Sequence, residues 1–411
     1  MKTTLIVIAG VGVALATVAA GCHDGPTYDP ENVQTLEITL AAGTNLGTED
    51  NPNADRNLRF DVTARNRKGE VATELTGKIQ SYVFFLGALS PDRSSGASSL
   101  QEIMLVDGIA RDVTLNLPTA YGPSSLWLED EGEMGRPSTF AVGATPTIWY
   151  REPYLSDVQR PPVPATRAAS PSNYRSSLEG KQVRVNQSQW GANGKLVVTS
   201  VATQAYTVSD VQCGAGGVPP CMATPLGHMY VFTFGKPPVG IDVGTVLKEV
   251  RGGVSEFVGF TELNFPRQDI LEDDQGNVVN NKAFVPAPTL LTSSNVSDNA
   301  LMEDNEAGLV ELRNVRACAP KSADDLDRWE RFGQFPIDMG GGCGAGSAPT
   351  IATRPISSFN PLMNDGVMLT KVVGNVRNVS GASSSGSFSF WTINIRTPDD
   401  LECAVAGCKG M

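Results

Sequence analysis

A ten-residue stretch of this chain aligns without a gap to a second stretch, with the valines and glycines at four positions kept, and that repetition limits its fold more than any other feature. Val250-Arg251-Gly252-Gly253-Val254-Ser255-Glu256-Phe257-Val258-Gly259 aligns without a gap to Val372-Val373-Gly374-Asn375-Val376-Arg377-Asn378-Val379-Ser380-Gly381. A Ser/Gly loop follows in the second copy. Leu263-Asn264-Phe265 then matches Ile393-Asn394-Ile395, and Asp269-Ile270 matches Asp400-Leu401. The copies stand about 122 residues apart, which is a whole domain and not a solenoid turn. Each opens on a strand after a glycine, Gly180 or Gly308. Two domains of one kind are therefore expected at 174–271 and 300–403, with a connection at 272–299 and a tail at 404–411.

Each repeat reads as short strands. In the first they fall near 181–187, 195–201, 204–210, 228–235 and 246–265, the last being a hairpin. Short strands ending in a hairpin predict a small Greek-key barrel. Ahead of the repeats, Leu36, Ile38 and Leu40 alternate, as do Leu58, Phe60, Val62 and Ala64, and later Val113, Leu115 and Leu117. Period-2 alternation with a turn every 10 to 20 residues predicts a β-sandwich over 35–157. Residues 158–173 carry Pro161, Pro162, Pro164 and Pro171 and read as a semi-rigid linker. The predicted class is all-β, a sandwich followed by two barrels.

Two resemblances sharpen this reading. The run Arg65-Asn66-Arg67-Lys68-Gly69, then Leu105-Val106-Asp107-Gly108, Ala120-Tyr121-Gly122 and Leu126-Trp127-Leu128-Glu129-Asp130, is similar to bacterial Ig-like surface domains. That resemblance implies an Ig-like sandwich with a spacer or binding role and brings no catalytic residues. Tyr230-Val231-Phe232, Val243-Gly244-Thr245-Val246, Gly253-Val254-Ser255-Glu256-Phe257 and Phe260-Thr261-Glu262-Leu263 together resemble the OB-fold repeats of secreted bacterial nucleases. The second copy departs from them, lacking the acid after Val376 and carrying Trp391-Thr392-Ile393 in the last phrase. Such nucleases also carry a separate catalytic domain, and nothing in this chain resembles one.

The N-terminus gives an address. Lys2 precedes an apolar run from Leu5 to Val18, and Ala19-Ala20-Gly21-Cys22 follows. A basic start, an apolar stretch and small residues form a secretory signal, here residues 1–21. Ala19 to Cys22 resembles the lipobox of bacterial lipoproteins, which implies a diacylglycerol thioether on Cys22 and cleavage before it. The apolar run is short against the ~20 residues a span requires. Residues 22–34 then form a lipidated tether. His23 stands where aspartate would signal inner-membrane retention, so the outer membrane is expected, with the leaflet face open.

Composition narrows the partners. The chain carries formal net charge −12, and loss of residues 1–21 removes Lys2 and no acid. Acidic proteins repel phosphate backbones, which argues against a nucleic-acid partner. Seven cysteines less Cys22 leave six, in sequence-local pairs: Cys213 with Cys221, Cys318 with Cys343, and Cys403 with Cys408. Six cysteines allow 15 connectivities, and these three are the simplest in an oxidising compartment. No pair has zinc-knuckle spacing.

Catalytic signals are absent. His23 lies in the tether, which leaves His228 as the one histidine in a scaffold, and it reads as structural or exposed. No G-x-S-x-G, Walker loop or H-E-x-x-H occurs. Glu49, Asp50, Asn51, Asn53 and Asp55 place oxygens at calcium-like spacing but fail the EF-hand pattern, since Arg56 and Val62 stand at its glycine and glutamate. They and Glu272-Asp273-Asp274 read as solvated loops. Tyr230, Phe232 and Phe234 share one strand face, which OB-folds use for stacking. The favoured reading puts that face in the barrel, with Met229, Val231 and Thr233 outside. Trp190 is the better exposed stacking candidate. The sequence therefore points to a non-enzymatic envelope lipoprotein with no cofactor or metal. Its role would be structural, or binding of an envelope protein or polysaccharide. The alternative is an accessory nucleic-acid-binding module.

Overall fold

The computed structural model describes residues 33–85, 101–343, 348–353, 359–383 and 386–405; the predicted signal peptide, Cys22 and Cys408 lie outside them. The protein is all-β. The first unit contains β1 (Val33–Leu40), β2 (Asn57–Asn66), β3 (Gly77–Phe85), β4 (Ile103–Leu105), β5 (Ile109–Asn116), β6 (Pro123–Glu129), β7 (Val142–Ala144) and β8 (Ile148–Trp149). Alternation does what it predicts in β2: Leu58, Phe60, Val62 and Ala64 are buried. The strand order is β4-β3-β6-β7-β1-β2-β5, with β8 on β6. β1 joins the two halves of the sandwich, antiparallel to β2 through Leu36↔Ala64 and parallel to β7 at Thr35↔Val142. Gly143 permits that second contact, because a Cβ there would collide with the Leu36 carbonyl oxygen. β1 starts two residues before the expected unit boundary, inside the predicted tether.

The first barrel contains β9 (Gln182–Val185), β10 (Gly194–Val201), β11 (Ala205–Gln212), β12 (His228–Phe232), β13 (Val246–Phe257) and β14 (Phe260–Ile270). β10, β11 and β12 form an antiparallel meander. β12 then runs parallel to β14, the β13–β14 hairpin follows, and β13 closes the barrel on β10. The second barrel contains β15 (Thr289–Leu291), β16 (Leu309–Ala317), β17 (Gln334–Asp338), β18 (Thr350–Ala352), β19 (Met368–Ser383), β20 (Gly386–Asn394) and β21 (Leu401–Cys403). It repeats the path: meander β16-β17-β18, parallel pair β18–β20, hairpin β19–β20, closure of β19 on β16. This is a closed Greek-key barrel of OB type.

The sequence repeat maps onto this architecture residue for residue. Gly253↔Asn264 and Val254↔Leu263 pair in the first hairpin; Asn375↔Asn394 and Val376↔Ile393 pair in the second. Val231↔Leu263 and Ile351↔Ile393 are the matching parallel pairs.

Both predicted connections are packed against the barrels. The helix α1 (Leu155–Gln159) buries Leu155 and Val158 in the core of the first barrel. Ala165 and Ala169 then pack on the core of the second. Asn299 donates its amide to the Ala169 carbonyl at 2.9 Å. The proline-rich stretch is thus a strap across both barrels, because its alanines and helix carry enough apolar surface to dock. In the 272–299 stretch, Val279, Phe284 and Val285 cover the outside of the first barrel. β15 adds to the second barrel through its parallel pairing with β16.

Candidate binding face

The face of β12 is the reverse of the expected one. Met229 and Val231 point into the first barrel and are fully buried, while Tyr230 and Phe232 lie on its outer surface. Both sets are apolar, so alternation fixes the period and leaves the inward parity open. The core is filled from elsewhere, by Tyr206, Leu196, Val198 and Leu263 among others.

Outside, the aromatic rings form a continuous stripe. Phe232 meets Phe234 with centroids 4.5 Å apart, and Phe234 stacks on Phe265 at 4.6 Å and 23°. Phe234 is 50% exposed and Phe265 78%. The parallel pairing of β12 with β14 creates this neighbourhood by setting Phe232 beside Asn264. Higher on the face, Tyr230 meets Phe260 at 5.1 Å, and Arg377 of the second barrel lies 5.1 Å above the Phe260 ring. Phe234, Val258 and Phe265 all have positive φ, at 58°, 57° and 50°. Bulky and β-branched residues avoid that region, and such strain gathers at functional surfaces. Positive φ thus falls on the two most exposed rings of the stripe, Phe234 and Phe265.

The other end of the face is covered by the second barrel. Thr199, Ser209 and His228 lie there, with His228 Nδ1 2.8 Å from Ser209 Oγ and Gly308 closely packed on the imidazole. Burial pushes His228 down to about 4, so it is neutral at neutral pH. Its 1% exposure gives it a structural place in the barrel contact.

Trp190 is 37% exposed and stands apart from the stripe. It sits in a loop between β9 and β10 whose backbone is fixed by Asp210. That carboxylate accepts the Ser188 hydroxyl and, at 2.9 Å, the Gln189 N–H. The structure does not bring Trp190 together with Tyr230 and Phe232. It adds Phe265, which sequence reading missed; its positive φ before Pro266 left no recognised signal.

Cys213–Cys221 and Cys318–Cys343 are disulfides, as their spacing predicts. Cys403 is also disulfide-bonded. In the acidic loops, Glu49 pairs with Arg184, and Asp273 holds Asn277 through backbone and side chain. Among the described residues no group of three acids, histidines or cysteines is placed to hold a metal ion, and no helix is long and apolar enough to cross a membrane. No family model, curated protein or solved structure matches the chain.

Proposed function

We propose that this protein is a lipid-anchored envelope protein that binds a neutral polysaccharide on the outer face of its first barrel. The observation that carries this reading is the exposed Phe232–Phe234–Phe265 ladder on β12 and β14. OB barrels bind oligonucleotides or oligosaccharides on the face that includes this strand. A net charge of −12 opposes a polyanion, which leaves the neutral sugar chain. Flat apolar rings match the C–H faces of sugars. Gln204, exposed and bonded to the Phe234 carbonyl, sets an amide beside the ladder for sugar hydroxyls. Cys22 is the proposed anchor, since two or three acyl chains hold a protein on a membrane where one does not. The sandwich then spaces the barrels from the bilayer.

Two experiments test this. Palmitate labelling of cells is expected to mark the native chain and leave Cys22→Ser unlabelled; equal labelling of both contradicts the anchor. The full chain in mild detergent is expected to be retained on insoluble neutral glucans and mannans. The Phe232→Ala/Phe265→Ala double variant is expected to lose that retention. No retention of the native chain, or salt-sensitive capture by single-stranded DNA in its place, contradicts the glycan reading.

A further inference from the structure

The internal repeat exposes an insertion. In the second barrel β16 pairs with β19 as one unbroken strand, with Leu312↔Val372 and Val315↔Leu369. The repeat sets these pairs against Val185↔Val250 and Leu196↔Leu247 in the first barrel. There the strand is cut into β9 and β10, and the loop 186–193 bulges out between them.

The inserted loop is rigidly held. Besides the two bonds to Asp210, the Gln189 amide oxygen accepts the Ser156 hydroxyl at 2.9 Å, and the Asn193 carbonyl accepts the Cys213 N–H at 2.8 Å. The Asn193 side chain accepts the Gly216 N–H inside the Cys213–Cys221 loop. A Cβ on Gly194 would collide with Ser188, so the strand can resume there only at glycine. A buried carboxyl and a disulfide loop thus fix a segment that the sister barrel does without.

Between this loop and the barrel wall lies a cleft of about 260 Å³, lined by Asn186, Gln187, Ser188, Lys195 and Lys248 among others. No acid lines it. Lys195 rests on the Phe284 ring at 5.1 Å, and neither lysine has a carboxylate partner among the described residues. Glu249, next to Lys248, is engaged with Arg184 and Arg251. Asp210 stands behind Ser188 and outside the lining, its oxygens taken by the Ser188 hydroxyl and the Gln189 N–H. In a chain with 44 acids against 32 bases, two unpaired ammonium groups in an acid-free cleft mark a place for an anion.

We propose that the inserted loop forms a second binding site, which takes one anionic sugar unit. The lysines meet its carboxylate or phosphate, and Asn186 and Gln187 meet its hydroxyls. Pockets for drug-sized ligands run from about 300 Å³ upward, so this cleft suits one sugar residue and not a chain. The site is separate from the phenylalanine ladder and does not depend on it.

Calorimetric titration of the full chain with glucuronate, glucose 6-phosphate and glucose tests the proposal. At least one anionic sugar is expected to bind, with glucose weaker by about tenfold or more; the tighter of the two identifies the charged group. Lys195→Met/Lys248→Met is expected to lower anion affinity by about tenfold or more with an unchanged melting temperature, because methionine keeps the packing stem. Anionic sugars no tighter than glucose, or binding unchanged in the lysine variant, overturn it. Phe232→Ala/Phe265→Ala is the control: it should leave this titration intact even if the ladder binds nothing.

Discussion

Glu306 of the second barrel accepts the backbone N–H of Thr261 in the first barrel, at 3.2 Å. The contact lies at the centre of the joint between the repeats, beside the Ser380 N–H bond to the Val258 carbonyl at 2.7 Å. Glu303 and Glu306 are each 1% exposed. Both oxygens of Glu303, one of Glu306 and one of Glu256 are buried without a partner. Glu256 spends its other oxygen on the Ser176 N–H and the Thr261 hydroxyl. A buried carboxylate lacking donors is costly, and a retained proton lowers the cost. Burial pushes Glu256 up to about 7, and burial with the mutual repulsion of the three acids raises Glu303 and Glu306 well above the usual carboxylate range. Arg377 and the N–H groups of Thr261 and Asn378 oppose the shift at Glu306, while Asp304 adds to it at Glu303.

The first prediction concerns pH. These acids bind more protons folded than unfolded, so stability falls as pH rises from about 4.5 through about 7 and above. The urea midpoint is expected to be higher at pH 5 than at pH 8, by on the order of 2 kcal/mol in unfolding free energy. Glu306→Gln should shrink that difference, since the amide has no proton to lose. His228, held neutral by burial, opposes this trend below about pH 6.5, so the variant decides: a pH dependence unchanged in Glu306→Gln contradicts the protonated joint.

A second prediction separates the two faces of β12. Met229 packs in the barrel, so Met229→Ala is expected to cost about 2–5 kcal/mol. Phe265 is 78% exposed, and Phe265→Ala should change stability by about 0.5 kcal/mol or less. Thermal melts of the two variants decide it. A loss at Phe265 as large as that at Met229 would contradict the outward placement of the ladder.

A third prediction uses the Cys213–Cys221 bridge. It closes a short loop, sequence separation 8, and both cysteines join a small buried cluster with Val197, Val211 and Val246. Replacing both by alanine is expected to cost about 2–3 kcal/mol. Because Gly216 in that loop donates to Asn193, hydrogen exchange should also quicken across 186–193. Unchanged exchange there would show that the inserted loop is fixed without the bridge, by Asp210 and Ser156.

These features were unequally legible in the sequence. The hairpins were, because a gapless ten-residue alignment, with Asn264 and Asn394 at corresponding places in the two copies, leaves few foldings open. So were the two disulfides, whose partners are close in sequence. The parity of β12 was not: Met229 and Val231 are as apolar as Tyr230 and Phe232, and only the filled barrel decides which pair enters. The insertion was hidden because β9 and β10 each look like a complete strand; their unity is visible only beside β16. The joint was hidden as well, since Glu306 and Thr261 are distant in the chain and each acid alone reads as surface.

The central claim is that the phenylalanine ladder holds a neutral glycan. Amide and methyl NMR of the full chain titrated with soluble neutral oligosaccharides tests it most directly. The account predicts saturable shifts centred on Phe232, Phe234, Asn264 and Phe265, and their loss in Phe232→Ala/Phe265→Ala. No shifts with any neutral oligosaccharide, or shifts confined to other surfaces, would contradict it.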